Sequence, residues 1–397
     1  MKLVDVCEFF SDFGGGVRTY AHQKLENCAK EGWETTIIAP GPADRREKRL
    51  GGEIIWVRSP VLPLDPRYHL FNRARPIHEI LDEIKPTVVE GSSTWRGGWI
   101  AASWKGEAAK ALFLHQDPVA VYPHSLFSPP LNEQRVDQLC FWFWWYLRRL
   151  SRHFDATAVS GEWFASRLER FGVKRPIVAS FGVNKDLFSY RYRSEGVKRA
   201  MLRECGVDDP SALLFIAVSR HHMEKRLSTM MEAFERFAAT RPAGLFIIGD
   251  GPTRERVEAQ AAKTPGVRVA GHIGDRATLA RHLASADYML HGGAAETFGL
   301  VVAEALCSGL PIVTPDIGGA ADLAHPTYAE VYRPGRPDAM LAAMERMVAR
   351  DREELAIAAR AGANRIPAPA DHFKSLLAQY SALYEENERR KAAQRAA

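Results

Sequence analysis

The chain has 397 residues, 46% of them hydrophobic and 25% charged, with 53 basic against 48 acidic side chains and a formal charge of +5. That length exceeds one ordinary core and points to two domains with a cleft between them, while the composition argues against long disorder. The charge surplus is too small to imply nucleic-acid binding, and none is expected, although attraction to anionic substrates or lipid surfaces stays open. The five cysteines, Cys7, Cys28, Cys140, Cys205 and Cys307, are scattered and odd in number, so they suggest neither a disulfide frame nor a zinc site and fit a reducing cytoplasm.

The opening "MKLVDVCEFF" carries Asp5 and Glu8 inside its apolar run and reads as a first strand rather than a signal peptide. Strand-like runs then alternate with amphipathic stretches: "VRTYAHQKLENCAKEG", "ETTIIAP", "PTVVEGS", "KALFLHQD", "DATAVSG", "EWFASRLERFG", "PIVASFG". This is the pattern of βαβ units on a parallel sheet, and it places a first domain over residues 1–185. Residues 186–210, rich in charge and turn formers, read as a hinge. A second series, "ALLFIAVSR", "GLFIIGDGP", "VRVAGHI", "DYMLHGG" and "LPIVTPD", gives another domain of the same kind over 211–366. Residues 367–397 read as a C-terminal helix packing back toward the first domain. The fold class is therefore α/β, with two doubly wound Rossmann-like domains. No apolar run approaches the roughly 20 residues of a membrane-spanning helix, so the chain is not expected to cross a bilayer.

Several stretches carry chemistry. The first strand runs into Gly14, Gly15 and Gly16 and then a helix, a turn that lets backbone N–H groups approach a phosphate, or simply a tight turn. The spacing is not Gly-x-Gly-x-x-Gly, and the second strand ends "IIAP" without the acid a dinucleotide site needs, which weighs against an NAD-dependent oxidoreductase. Arg220 closes a strand and Lys225 follows at the start of the next helix, a pair able to neutralise a diphosphate or to form a solvated basic turn. In "AAETFGLVVAEALCSGLP", residues 294–311, Glu296 precedes a helix starting near Phe298 and Gly299, and Glu304 falls in its second turn. Both carboxylates are expected to face one crevice, where they accept hydrogen bonds from sugar hydroxyls, while the N–H groups of Gly299, Leu300 and Val301 face a phosphate or hydroxyl. The helix is apolar nearly all round, so an unpaired Glu304 would be costly there. The aromatic stretch "LCFWFWWYLRRLSRHF" reads either as a core helix or as an interfacial patch, with rings at headgroup depth and arginines on anionic lipid.

The run from Glu296 to Glu304, with Arg220 and Lys225, "GDGP", the glycine turn and "FGVNKDLF" in the same order, resembles family 4 of the glycosyltransferases, retaining enzymes of GT-B fold. The resemblance covers nearly the whole chain, and "GGGVRTY" is similar to the mannosyltransferase branch. It implies a hexosyltransferase, moving mannose or glucose from a nucleotide diphosphate sugar to a hydroxyl of a lipid-linked or saccharide acceptor. On this likeness Glu296 contacts the donor hexose and Glu304 the ribose. Arg220 and Lys225 hold the departing diphosphate, Gly15 and Gly16 bring backbone to the diphosphate or acceptor, and Phe298 to Val301 complete the donor site. His115, in "LFLHQD", resembles the family histidine beside the reacting sugar, although a strand-end histidine is also a common structural residue.

Two departures stand out: His291-Gly292-Gly293 occupies positions where the family often has Pro-Ser, and Phe181 stands where Asn is frequent. The likeness further implies attack on the face the leaving group vacates, with the phosphate taking the acceptor proton. No metal is expected, because Arg220 and Lys225 supply the positive charge and no Asp-x-Asp stands where a metal-dependent transferase would use it. No cofactor beyond the donor is expected. A nucleotide-sugar epimerase or an idle sugar-binding protein on the same fold stays open, and the compartment expected is the cytoplasm, with peripheral contact at the inner face of the membrane.

Overall fold

The computed structural model describes residues 1–11, 16–63, 65–127 and 133–396, which form two units. The first comprises Met1–His115, Cys140–Ser180 and Pro369–Ala397, and the second Gln116–Leu139 and Phe181–Ala368. Among the described residues no helix is long and apolar enough to cross a membrane.

The first unit is built on an eight-stranded sheet. From one edge to the other its strands are Pro176–Val178, Ala156–Val159, Ala109–Phe113, Val88–Gly91, Lys2–Val6, Glu34–Gly41, Gly52–Arg58 and Arg45–Arg49. All run parallel except Arg45–Arg49, which pairs antiparallel with Gly52–Arg58. The chain starts at Lys2–Val6, winds outward on one side, then returns beside its first strand and winds outward on the other. The strand order therefore reverses between Lys2–Val6 and Val88–Gly91, the crevice where open α/β sheets bind ligands at their carboxyl ends.

Central strands of this kind are expected to be apolar, yet Asp5, Glu90 and Lys24 are each no more than 1% exposed. They survive burial because they satisfy one another: the Lys24 ammonium lies 2.6 Å from Asp5 Oδ2 and 2.5 Å from Glu90 Oε1. Tyr380 of the helix Pro369–Ala396 adds a hydrogen bond to Glu90 Oε2 at 2.8 Å, and His372 of the same helix meets Tyr20 Oη at 3.0 Å. The C-terminal helix is thus fastened to the first unit by polar as well as apolar contacts.

The second unit carries a six-stranded parallel sheet in the order Val267–Gly271, Ala243–Ile248, Leu213–Val218, Tyr288–Leu290, Ile312–Pro315, Ala329–Tyr332. Its order reverses between Leu213–Val218 and Tyr288–Leu290. Hydrophobic layers cover both faces, one including Ile216, Phe246, Met289, Val302 and Leu306, the other Phe215, Phe234, Leu245, Met344 and Met347.

The 186–210 stretch, expected as a hinge, is folded into this unit. The chain passes between the units at His115/Gln116, Leu139/Cys140, Ser180/Phe181 and Ala368/Pro369. Ser194 caps a helix, Glu195–Glu204, whose Met201 and Leu202 enter the core. The charges that suggested a solvated linker have a buried partner: Asp287 receives Lys198 at 2.6 Å, Arg352 at 3.1 Å and Arg193 at 3.2 Å.

Candidate functional site

The switch point of the second sheet brings together two loops distant in sequence. One follows Leu213–Val218 and carries Arg220, Glu224 and Lys225; the other follows Tyr288–Leu290 and carries His291 and Glu296. Lys225 stands in a short 3-10 turn, Met223–Lys225, just before the helix Leu227–Ala238. Its ammonium lies 2.5 Å from Glu296 Oε1 and 3.4 Å from Glu224 Oε1, and Arg220, 3.3 Å from the same Glu224 oxygen, extends the chain of charges into solvent. Gly292 explains the close approach of the loops. A Cβ there would lie 2.2 Å from the Lys225 carbonyl oxygen, so a side chain at this position would push the loops apart.

Burial opposes charge on both Lys225 and Glu296, and their mutual attraction overrides it. Desolvation would raise the Glu296 carboxyl, but Lys225, His291 and Arg220 bring it down to about 2; Glu296 and Glu224 in turn hold the Lys225 ammonium above its ordinary range. His291, buried and 3.7 Å from Glu296, is driven by desolvation to about 4 and is therefore a neutral imidazole, its Nε2 at 3.1 Å from the Gly293 carbonyl. On the loop that carries Lys225, Ser219 Oγ, both ring nitrogens of His221, His222 Nδ1 and Glu224 Oε2 are buried without a hydrogen-bond partner among the described residues. Each such atom ordinarily costs about 1–3 kcal/mol.

Glu304 is placed differently from Glu296. It lies on the helix Leu300–Cys307, is 3% exposed, and pairs with Arg276 at 2.5 Å rather than with Arg220 or Lys225. Burial raises its carboxyl above the usual range, with Arg276 pulling the other way. The four charged side chains expected to share one crevice thus resolve into a linked set, Arg220, Lys225 and Glu296, and a separate pair, Glu304 with Arg276. Nothing in the sequence singled out Arg276, because it stands 28 positions before its partner at the start of another helix, Arg276–Ser285.

The helix begins at Leu300, with Gly299 as its N-cap at φ 87° and no side-chain cap. The first N–H groups, those of Leu300 and Val301, are therefore the ones a helix leaves without an internal partner. Leu300 is exposed and Val301 half-buried. Phe298, expected among the donor contacts, has its side chain in the hydrophobic core, 5% exposed, with its ring edge-on to Phe181 at 5.6 Å. It is a packing residue, and Phe181, one of the two departures, is its partner. Asp250 is used locally: its Oδ1 accepts from Gly251 N at 2.7 Å and its Oδ2 pairs with Arg254 at 3.0 Å.

In the first unit, His115 follows the strand Ala109–Phe113, with its ring 4.5 Å from Phe113 and 5.1 Å from Tyr20. Desolvation, then the nearby Lys24, lowers its imidazole to about 3, so it is neutral. Gly16 opens the helix Gly16–Lys30 with open space where a Cβ would stand, while Gly14 and Gly15 lie outside the described residues. Sequence reasoning missed Glu8, which sits at the switch point of this sheet and accepts from Ser93 Oγ at 2.5 Å and Gly97 N at 3.0 Å. Among the described residues no group of three or more His, Cys, Asp or Glu side chains is arranged to hold a metal ion.

Two doubly wound α/β units, one with a charged chain at its switch point, define the class: the fold is GT-B. Its likeness to sucrose-phosphate synthase from Thermosynechococcus elongatus spans 97% of this chain and 99% of that one, with a TM-score of 0.75 at 18% identity. The profile described as Glycosyltransferase Family 4 matches residues 14–186, and that described as Glycosyl transferases group 1 matches residues 212–350. Two relatives from Mycobacterium tuberculosis align over most of their length. A GDP-mannose-dependent alpha-(1-6)-phosphatidylinositol dimannoside mannosyltransferase is 24% identical over 85% of this chain and 89% of its own. A GDP-mannose-dependent alpha-mannosyltransferase is 28% identical over 91% of each. The chain belongs to family 4 of the glycosyltransferases. It is a retaining hexosyltransferase that uses a nucleotide sugar as donor. The oxidoreductase and epimerase readings find no support in these likenesses.

Proposed function

We propose that this enzyme transfers mannose from GDP-mannose to a hydroxyl of a lipid-linked or saccharide acceptor, and that the second unit's switch point holds the donor. The donor is chosen from the two mannosyltransferases that align over more than four-fifths of the chain. The observation that carries the site is the Lys225–Glu296 pair at 2.5 Å, with Lys225 on a loop whose Ser219, His221, His222 and Glu224 hold buried polar atoms without partners among the described residues. A ligand rich in hydroxyls and phosphate oxygens supplies the partners those atoms lack.

In this reading Arg220 and Lys225 face the diphosphate and Glu296 the hexose hydroxyls. Leu300 and Val301 offer backbone N–H groups, Gly299 allows that helix start, and Glu304 takes the ribose hydroxyls. As the bond from the sugar's C1 to the diphosphate oxygen breaks, negative charge grows on that oxygen, and preorganised cations stabilise it without waiting for solvent to reorient. The acceptor oxygen bonds to C1 on the face just vacated, its proton passes to the departing phosphate, and configuration is retained. Charge neutralisation by Arg220 and Lys225 leaves no role for a divalent ion. The enzyme works in the cytoplasm, peripherally on an anionic inner membrane face, where a lipid-linked acceptor is presented.

The test is a thermal-shift panel of guanosine and uridine diphosphate sugars, followed by transfer assays with and without a chelator. A rise in melting temperature with GDP-mannose, abolished in Lys225→Ala and in Glu296→Ala, is the expected outcome. A shift with uridine diphosphate sugars alone removes the donor assignment, and shifts that survive both substitutions remove the site.

A further inference from the structure

The helix Phe141–Ser151 of the first unit has two unlike faces. On the inner one, Phe143, Trp144, Leu147 and Leu150 are at most 3% exposed, and Trp144 stacks on Phe171 with centroids 4.1 Å apart at 7°. Arg167 covers the same indole at 4.9 Å, so this face is fully committed to packing. The outer face falls at positions 141, 142, 145, 148, 149 and 152, the steps of one side of a 3.6-residue helix. Its first half is aromatic, with Phe141, Trp142 and Trp145 exposed to 70%, 58% and 54%. Its second half is Arg148, Arg149 and Arg152.

The three arginines stand together at the end of one helix. Among the described residues none of the three has a carboxylate partner within ion-pair distance, whereas Arg167 is spent on the core, Arg175 pairs with Glu386 and Arg193 with Asp287. Arg149 lies over the Trp145 ring at 5.7 Å, and Trp145, Arg148, Arg149 and Arg152 together line a surface hollow of about 380 Å³. A helix C-terminus favours nearby cations, which accounts for one or two of them. It does not account for a third, nor for three large rings left in water on the same face.

We propose that this outer face is a docking surface for an anionic phospholipid bilayer. The rings of Phe141, Trp142 and Trp145 settle at headgroup depth, where an amphipathic aromatic is most stable. The hollow behind them receives lipid phosphates, to whose oxygens the three guanidinium groups donate hydrogen bonds through their planar forks. A second copy of the chain fits less well, since a like-on-like contact would set six unpaired cations near one another. The inference gives the peripheral location proposed above its surface, and it stands or falls separately from the transfer reaction.

The experiment is co-sedimentation of the full chain with phosphatidylcholine vesicles, with and without phosphatidylglycerol, at low and high salt. Binding is expected only to vesicles containing phosphatidylglycerol and is expected to weaken with salt. The combined Arg148→Gln, Arg149→Gln, Arg152→Gln variant should partition about 100-fold less, at roughly fivefold per arginine. Trp142→Ala with Trp145→Ala should also bind less, and all variants should keep the wild-type melting temperature and donor-induced shift, because the altered side chains are on the surface. Should the triple variant unfold, Arg149→Glu alone reads the same charge dependence. Equal binding by wild type and arginine variants overturns the proposal, as does equal binding to neutral vesicles. Self-association lost in the tryptophan variant, without vesicle binding, overturns it in favour of a dimer surface. Failure of every nucleotide sugar to shift the wild type would count against the transfer reading and leave vesicle binding to decide this one.

Discussion

At the residue scale the central relation is between Lys225 and Glu296, each of which keeps its charge only because the other is there. Removing either leaves its partner in a desolvated place without the opposite charge that sustains its own, so Lys225→Ala and Glu296→Gln should each lower kcat by roughly 100-fold or more, as loss of one preorganised charge contact typically does. Circular dichroism on the same samples separates this from unfolding. Three site groups contribute to the acid response, joined by His372, which burial lowers to about 4, and opposed by Asp5, which burial raises to about 6. His115 and His291 are held near 3 and 4, below the 6.5 of a free imidazole, and Glu296 is held near 2, below 4.5. Between those values the unfolded chain binds protons that the folded chain refuses, so stability rises with pH and is lost as pH falls. The loss should begin below pH 6.5 through the histidines and deepen below 4.5 as Glu296 approaches protonation. Urea midpoints from pH 7 to pH 4 measure it, and His115→Gln should flatten the upper part of the curve.

At the scale of elements the helix Leu300–Cys307 shows how a backbone start is fixed. Gly299 sits at φ 87°, and a Cβ there would meet Ala320 Cα at 3.1 Å. Gly299→Ala should therefore cost about 1–3 kcal/mol and displace the N–H groups of Leu300 and Val301, weakening donor binding along with stability. Denaturant titration and the donor-induced melting shift, measured together, check both parts. The same helix carries Glu304, whose burial is offset by Arg276. Arg276→Ala should destabilise by roughly 1–3 kcal/mol, less than a fully buried pair because the guanidinium is half exposed. A neutral partner tests the cause: Glu304→Gln on the Arg276→Ala background should recover part of that loss.

At the scale of the whole molecule, donor binding should appear as stability. A nucleotide sugar at 100 times its dissociation constant adds about 2.7 kcal/mol, which for a unit of this size corresponds to a melting shift of roughly 5–10 °C. Much of this architecture was legible in the chain, because parallel strands buried on both faces read as short β-branched runs and the helices between them as amphipathic stretches. Arg45–Arg49 was not, since an exposed edge strand made of "RREKR" carries no hydrophobic signal. Gln116–Leu139 was hidden too: its short helices follow the first unit in sequence yet belong to the second, and local pattern does not report long-range packing. At the site, Lys225 and Glu296 could each be picked out by type and position, whereas Arg276 and the unpaired atoms of His221 required tertiary geometry.

The order in which the first unit is completed has a consequence for synthesis. Tyr380 and His372, which complete the hydrogen bonding of Glu90 and Tyr20 in the first unit, lie beyond the whole of the second. The amino-terminal sheet therefore leaves the ribosome with a charged triad still short of a donor, and stays unfinished until Tyr380 has been added. A nascent chain stopped at Ala368 should accordingly be a client for chaperones, while one carried through the helix Pro369–Ala396 is released from them.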